Sequence, residues 1–276
     1  MVGVVTRNEP EVTWGEFDQA FYETKDVTGR AVEPIEGAVN MISAFGDNAA
    51  AEGNPEVVPV SETGERATRD QPYFDWDYVC PTHEGYREGI LEMVESAAAA
   101  NADVRIDDVG FPREGYCRCD RCDRLFSESD VEDRQAWRGA VITDFVAAVR
   151  ERVPGDLYLT LYPDPYPGHL YRRAGLDLDA LSAHVDEFVV PLYDTAYGTT
   201  YWLEVIASAF ADRLDRPFTV ELYAVDVDVD ALIHAAEVAA AYADGVLFGY
   251  DASTARAAIR RMQAEGREGT SHGPAE

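Results

Sequence analysis

With 276 residues, 46% of them hydrophobic, the chain can bury one large core and has no room for a second full domain. Its formal charge of −29 and pI near 4.3 exclude partners that need a basic face, nucleic acid and anionic membrane among them. Lys25 is the one lysine, and the acids are spread along the whole chain, a pattern that suits either an ordinary acidic protein or a halophile cytoplasm, where molar salt cuts the Debye length to about 3 Å.

The opening MVGVVTRNEP lacks the basic segment and apolar core of a leader, and no apolar stretch is long enough to span a bilayer. A soluble, cytoplasmic protein is expected. Apolar runs of strand length occur at 2–6, 38–45, 104–111, 157–162, 188–193, 218–224 and 245–250. Helical periods at 85–100, 134–153, 177–185, 200–214, 230–243 and 253–264 separate most of them. Strand alternating with helix implies a parallel sheet, and this many α/β units favours a closed (β/α)₈ TIM barrel over an open one. The runs number seven, so either the barrel lacks its first strand, or Val57 to Ser61 forms an irregular one, or the count of strands is in error. Residues 46–79, with their glycines and prolines, read as a long loop on the active face. Residues 1–265 form one domain in this reading, and 266–276 (GREGTSHGPAE) a disordered tail.

Chemistry concentrates between Cys80 and Phe126. Cys117, Cys119 and Cys122 in C-x-C and C-x-x-C spacing, with Cys80 upstream, suit one tetrahedral zinc ion; free thiols are the alternative, and disulfides fit such short spacings poorly. His83 is a substitute ligand. The strand VRID ends in Asp107 and Asp108. By alternation Val104 and Ile106 face the helices, while Arg105 and Asp107 face the interior. Asp108 turns inward only once the strand has ended. The arginine beside Asp107 favours its ionised form and a nucleophilic or binding role. Likewise FTVELY turns Thr219, Glu221 and Tyr223 inward. An acid within an apolar strand is costly unless paired or used, so Glu221 is either a reacting group or the partner of an inward arginine such as Arg105. For Asp107 and Asp108 the alternative is a cap or turn.

Cys80-Pro81, Tyr86-Arg87, Ile106-Asp107, Tyr116-Cys117-x-Cys119-x-x-Cys122 and Phe126 together resemble glycoside hydrolase family 42 and related glycosidase barrels. The resemblance implies a structural zinc on the four cysteines, 104–108 as the fourth strand with the missing one at the N-terminus, and a glutamate nucleophile on the seventh strand, where Glu221 falls. It also implies an acid/base glutamate after the fourth strand, whereas this chain has Asp108 or Val109 there. Tyr162, Tyr193, Tyr223 and Tyr250 near strand ends, with Asp164, Asp194, Asp226 and Asp251 just beyond, suit stacking on sugars and gripping hydroxyls. His169 in the PDPYPGH loop is a candidate contact; His184 and His234 read as surface residues, and His272 falls in the tail.

A glycosidase is therefore expected, with Asp107 or Asp108 working beside Glu221, and Arg105, Tyr162, Tyr193, Asp194, Tyr223, Tyr250 and Asp251 binding a small-molecule or oligosaccharide substrate. The alternatives are a carbohydrate-binding barrel without turnover and an enzyme with a divalent metal on Asp107 and Asp108. A homo-oligomer is left open.

Overall fold

The computed structural model describes residues 1–270. Eight parallel strands close into one barrel: β1 (Val2–Thr6), β2 (Gln19–Lys25), β3 (Val39–Ser43), β4 (Val104–Asp107), β5 (Leu157–Thr160), β6 (Glu187–Pro191), β7 (Phe218–Tyr223) and β8 (Gly245–Gly249). β1 completes the ring by pairing with β8. Around them lie α1 (Asn48–Gly53), α2 (Glu84–Ala100), α3 (Asp120–Ser127), α4 (Arg134–Arg150), α5 (His169–Ala174), α6 (Leu178–Leu181), α7 (Tyr201–Arg213), α8 (Val229–Ala240) and α9 (Ala252–Thr270). The fold is a (β/α)₈ TIM barrel.

Period 2 along the strands sorts the side chains into two environments. Val104, Ile106, Val220 and Leu222 point outward and are buried in the large cluster shared with the helices. Val5, Phe21, Val39, Met41, Tyr158, Val189 and Leu247 form a separate apolar plug inside the barrel. The interior also holds buried Arg105, Thr219 and Glu221.

The first strand is regular and present; the strand without an apolar run is β2. Its sequence QAFYETK alternates Gln19, Phe21, Glu23 and Lys25 with Ala20, Tyr22 and Thr24, so polar groups interrupt both faces. Its pairing with β3 also shifts register between Glu23 and Lys25. Val57 to Ser61 forms no strand: Pro55–Val57 is a 3-10 turn, and Val60 makes an isolated bridge to Arg66. β4 is the fourth strand, as expected, but it ends at Asp107 because Asp108 takes a left-handed φ of 53°. The long 46–79 loop contains α1, capped by Asp47.

α9 continues past 264 to Thr270. The rest of the expected tail, with His272, lies outside the described residues. Among the described residues no helix is long and apolar enough to cross a membrane.

Candidate active site

The carboxyl ends of the strands open into a cavity of about 460 Å³, whose lining includes Arg7, Glu23, Lys25, Ser43, Arg105, Asp107, Asp108, Thr160, Tyr193, Tyr223 and Tyr250. Its floor is built on Arg105, 1% exposed. Arg105 Nε donates to Asp107 Oδ1 at 2.8 Å and to Thr160 Oγ1 at 3.0 Å, and Nη2 donates to Asp107 Oδ2 at 3.2 Å. The same Nη2 lies 2.6 Å from Glu221 Oε2 across the barrel. Burial alone would disfavour the guanidinium charge, but Asp107 and Glu221 outweigh it and hold Arg105 well above the usual range. Nη1 has no hydrogen-bond partner.

Glu221 is 0% exposed and lies outside the cavity lining. Tyr193 OH donates to its Oε1, and a Cβ on Gly249 would stand 3.0 Å from that oxygen, so the glycine leaves space for the carboxylate. Glu221 makes the buried ion pair with Arg105 that the sequence offers beside a reacting role. Arg105 itself takes the inward direction that alternation gives it.

Asp107 and Asp108 both reach the cavity. Thr160 Oγ1 donates to Asp107 Oδ1, so Asp107 is held on both oxygens. Asp108 turns inward through its left-handed backbone, a conformation that side chains rarely adopt and that clusters at functional sites. Ser43 Oγ donates to Asp108 Oδ2 at 2.7 Å. Burial, then the Asp107 charge, pushes the Asp108 carboxyl up to about 7, against the opposing pull of Ser43 and Lys25.

β1 and β2 supply a wall that sequence reasoning missed. Glu23 Oε2 accepts from Arg7 Nε, and Tyr250 OH donates to Glu23 Oε1 at 3.4 Å. Burial raises the Glu23 carboxyl above the usual range despite Arg7. Lys25 is buried and donates to the carbonyls of Ser43 at 2.9 Å and Gly46 at 3.2 Å. The signal was present, since Glu23 and Lys25 are charges inside FYETKDV, but it appears only once β2 is accepted as a strand.

Tyr193, Tyr223 and Tyr250 form a continuous aromatic wall, with ring centroids 5.5 Å and 6.4 Å apart in succession. The other expected contacts lie elsewhere. Tyr162 lines a neighbouring groove with Tyr166, His169, Tyr201 and Trp202. Asp164 bonds His169 Nδ1 at 3.1 Å. Asp194 closes a turn by accepting from the N–H of Thr195. Asp251 accepts from the N–H groups of Ser253 and Thr254 at the start of α9, and Asp226 sits in a left-handed turn. Asp194 and Asp251, expected to grip substrate, accept from backbone donors, as short acidic side chains do after strands and before helices. His184 follows α6, and His234 on α8 bonds Thr200 at 3.2 Å.

The Sγ atoms of Cys80, Cys117, Cys119 and Cys122 lie within 4.8 Å of one another, and none forms a disulfide. A tetrahedron of thiolates about 2.3 Å from zinc has edges of roughly 3.8 Å, so the donor set fits a four-coordinate metal ion. Backbone N–H groups of Val60 and Cys119 point at Cys117 Sγ, each at 3.4 Å. His83 takes no part; it caps α2 by accepting from the N–H of Tyr86. The cluster joins the loops after β3 and β4, which also bond directly through Arg118 N to the Val60 carbonyl. Among the described residues it is the only group of three or more histidine, cysteine or acidic side chains close enough to hold a metal, so Asp107 and Asp108 belong to no such group.

No protein-family model matches the sequence, and no curated protein does either. Among solved structures, the chain is similar to α-L-fucosidase isoenzyme 2 from Paenibacillus thiaminolyticus, with TM-score 0.66 and 13% identity over 97% of this chain and 49% of that one. It therefore spans about half the length of that protein. It is also similar to a class V chitinase from Pseudomonas fluorescens Pf-5, with TM-score 0.54 and 13% identity over 94% of this chain and 98% of that one. At such identities the likeness is one of fold, the TIM barrel that these glycoside hydrolases share with this chain.

Proposed function

We propose that the chain hydrolyses a glycosidic bond at the barrel mouth, with Asp108 as the acid that protonates the leaving oxygen and Asp107 as the carboxylate facing the anomeric carbon. One observation carries this reading: a carboxyl raised to about 7 stands next to a carboxylate gripped by a buried guanidinium, and both face one cavity. A carboxyl raised in this way beside a paired carboxylate is what acid-assisted cleavage near neutral pH requires. Arg105 and Glu221 act beneath them as positioning residues. Tyr193, Tyr223 and Tyr250 offer the C–H faces of a sugar a stacking wall. The fold likeness to a fucosidase and a chitinase supports the same reaction class by analogy.

Zinc on the four cysteines serves as a brace. Bound there, the ion ties the loops after β3 and β4 together and supplies no reacting oxygen.

A second reading is a barrel that binds sugar without cleaving it. Its support is the state of Asp107, whose two oxygens already accept from Arg105 and Thr160. A panel of aryl glycosides in molar salt separates the two. Hydrolysis that falls about 10² to 10⁴-fold in Asp108→Asn, and also falls in Asp107→Asn, supports the first. Saturable sugar binding with no turnover by the wild type supports the second.

A further inference from the structure

The turn after β3 closes a polar circuit against Asp108. Ser43 Oγ lies 2.7 Å from Asp108 Oδ2 and 2.9 Å from the Gly46 carbonyl oxygen. A hydroxyl has one hydrogen, so it can donate to only one of these acceptors at a time, although it can accept while donating. The Gly46 carbonyl has a second, permanent donor in Lys25 Nζ at 3.2 Å. Lys25 directs its other two N–H groups to the Ser43 carbonyl at 2.9 Å and to Asp47 Oδ2 at 3.1 Å. With three donors engaged and a buried position, the ammonium is fixed and is no nucleophile. Asp47 is anchored in turn by Tyr86 OH at 2.9 Å and by the N–H of Ala50 at 2.9 Å.

We propose that Ser43 is a positioning residue that works as a hydroxyl switch for Asp108. It donates to Asp108 Oδ2 when that group is a carboxylate, and it turns to the Gly46 carbonyl, accepting from the Asp108 O–H, when Asp108 carries the proton. Lys25 holds the carbonyl in place in both states. Its catalytic use rests on the hydrolase reading: with substrate bound, the single Asp108 O–H turns from Ser43 to the leaving oxygen, and as the proton passes to that oxygen the hydroxyl rotates to meet the new negative charge without movement of any heavy atom. The water consumed in hydrolysis returns the proton and reverses the rotation. Both protonation states of the acid are thereby hydrogen-bonded in a site with little solvent, where an unpartnered form would be costly.

The groups that bear on Asp108 come from every side: Asp107 on its own strand, Glu23 and Lys25 on β2, Tyr78 from the long loop, Tyr86 on α2 and Tyr162 after β5. The test must therefore isolate Ser43 from general electrostatics. Carbon-13 NMR of the wild type, labelled at aspartate carboxyls and glycine carbonyls and assigned with Asp108→Asn and Gly46→Ala, follows both ends of the switch through a pH titration. The expected result is a Gly46 carbonyl that titrates with the Asp108 midpoint. In Ser43→Ala that carbonyl response disappears and the Asp108 midpoint rises by about one pH unit, the worth of one hydrogen bond to the charged form. Ser43→Thr, which keeps the hydroxyl, restores both. A Gly46 carbonyl that stays flat in the wild type while Asp108 titrates overturns the proposal, whether or not Ser43→Ala folds. Because neither readout needs turnover, a coupled titration without any hydrolysis sinks the hydrolase reading and leaves the switch standing.

Discussion

The barrel floor and the cysteine loop bury polar atoms in opposite ways. On the floor, Arg105 lies between Asp107 and Glu221, so charge of one sign is met by charge of the other within the fold. In the loop, four sulfur atoms share one small volume; Cys80 and Cys122 meet each other, and outside the cluster the sulfurs meet the Thr82 hydroxyl and two backbone N–H groups. Four thiolates would repel one another without a cation between them. The first cluster pairs opposite charges within the fold; the second has the composition of a ligand set that is completed by a metal.

That contrast predicts a ranking of effects. Metal removal should be the most damaging, because a structural zinc supplies about 10 kcal/mol in small zinc domains and couples directly to folding. Chelator treatment or Cys122→Ser should lower the unfolding midpoint by on the order of 10 °C, with metal content falling from one zinc per chain to none. The floor responds differently. Arg105→Met leaves Glu221 buried without its partner and should cost about 3–5 kcal/mol, whereas Arg105→Met with Glu221→Met should recover most of that loss. Denaturant unfolding of the wild type and these two variants reads both numbers.

Asp108 provides a pH signature between the two. Its folded-state pKa of about 7 lies above the ordinary value of 3.8, so the folded chain holds a proton that the unfolded chain releases. The stability that comes from that proton is full below about pH 4 and is lost as pH rises through 7. Asp108→Asn should flatten this decline, gaining at most about 4 kcal/mol over the wild type at pH 8 relative to pH 4. Unfolding at a series of pH values checks it. Smallest of all, Tyr193→Phe removes one hydrogen bond to Glu221 and should cost about 1 kcal/mol.

Much of this was legible in the sequence, for reasons that can be stated residue by residue. Period 2 in VRID and FTVELY turns Arg105, Asp107, Glu221 and Tyr223 inward, and the structure has them there. Alternation says which way a side chain points, but not how deep it lies, so it left Glu221 undecided between reacting group and partner of Arg105. Asp108 reaches the cavity through a backbone dihedral that no pattern announces. β2 escaped notice because its interior face is charged, and with it went Arg7, Glu23 and Lys25. The backbone bonds of Asp194 and Asp251 were not legible, because an acid just past a strand satisfies a turn or a helix start as readily as it grips a sugar. The cysteine spacing, by contrast, carried its geometry with it, since short C-x-C and C-x-x-C intervals leave the loop few other ways to fold.

The central claim is that Asp108 delivers a proton to the leaving group. Its most direct test compares wild type and Asp108→Asn on a dinitrophenyl glycoside, whose leaving group departs without protonation, and on an unactivated glycoside of the same sugar. The account predicts a loss of about 10²-fold or more on the unactivated substrate and less than about tenfold on the activated one. Equal losses on both, or a variant as active as the wild type on the unactivated glycoside, would contradict it.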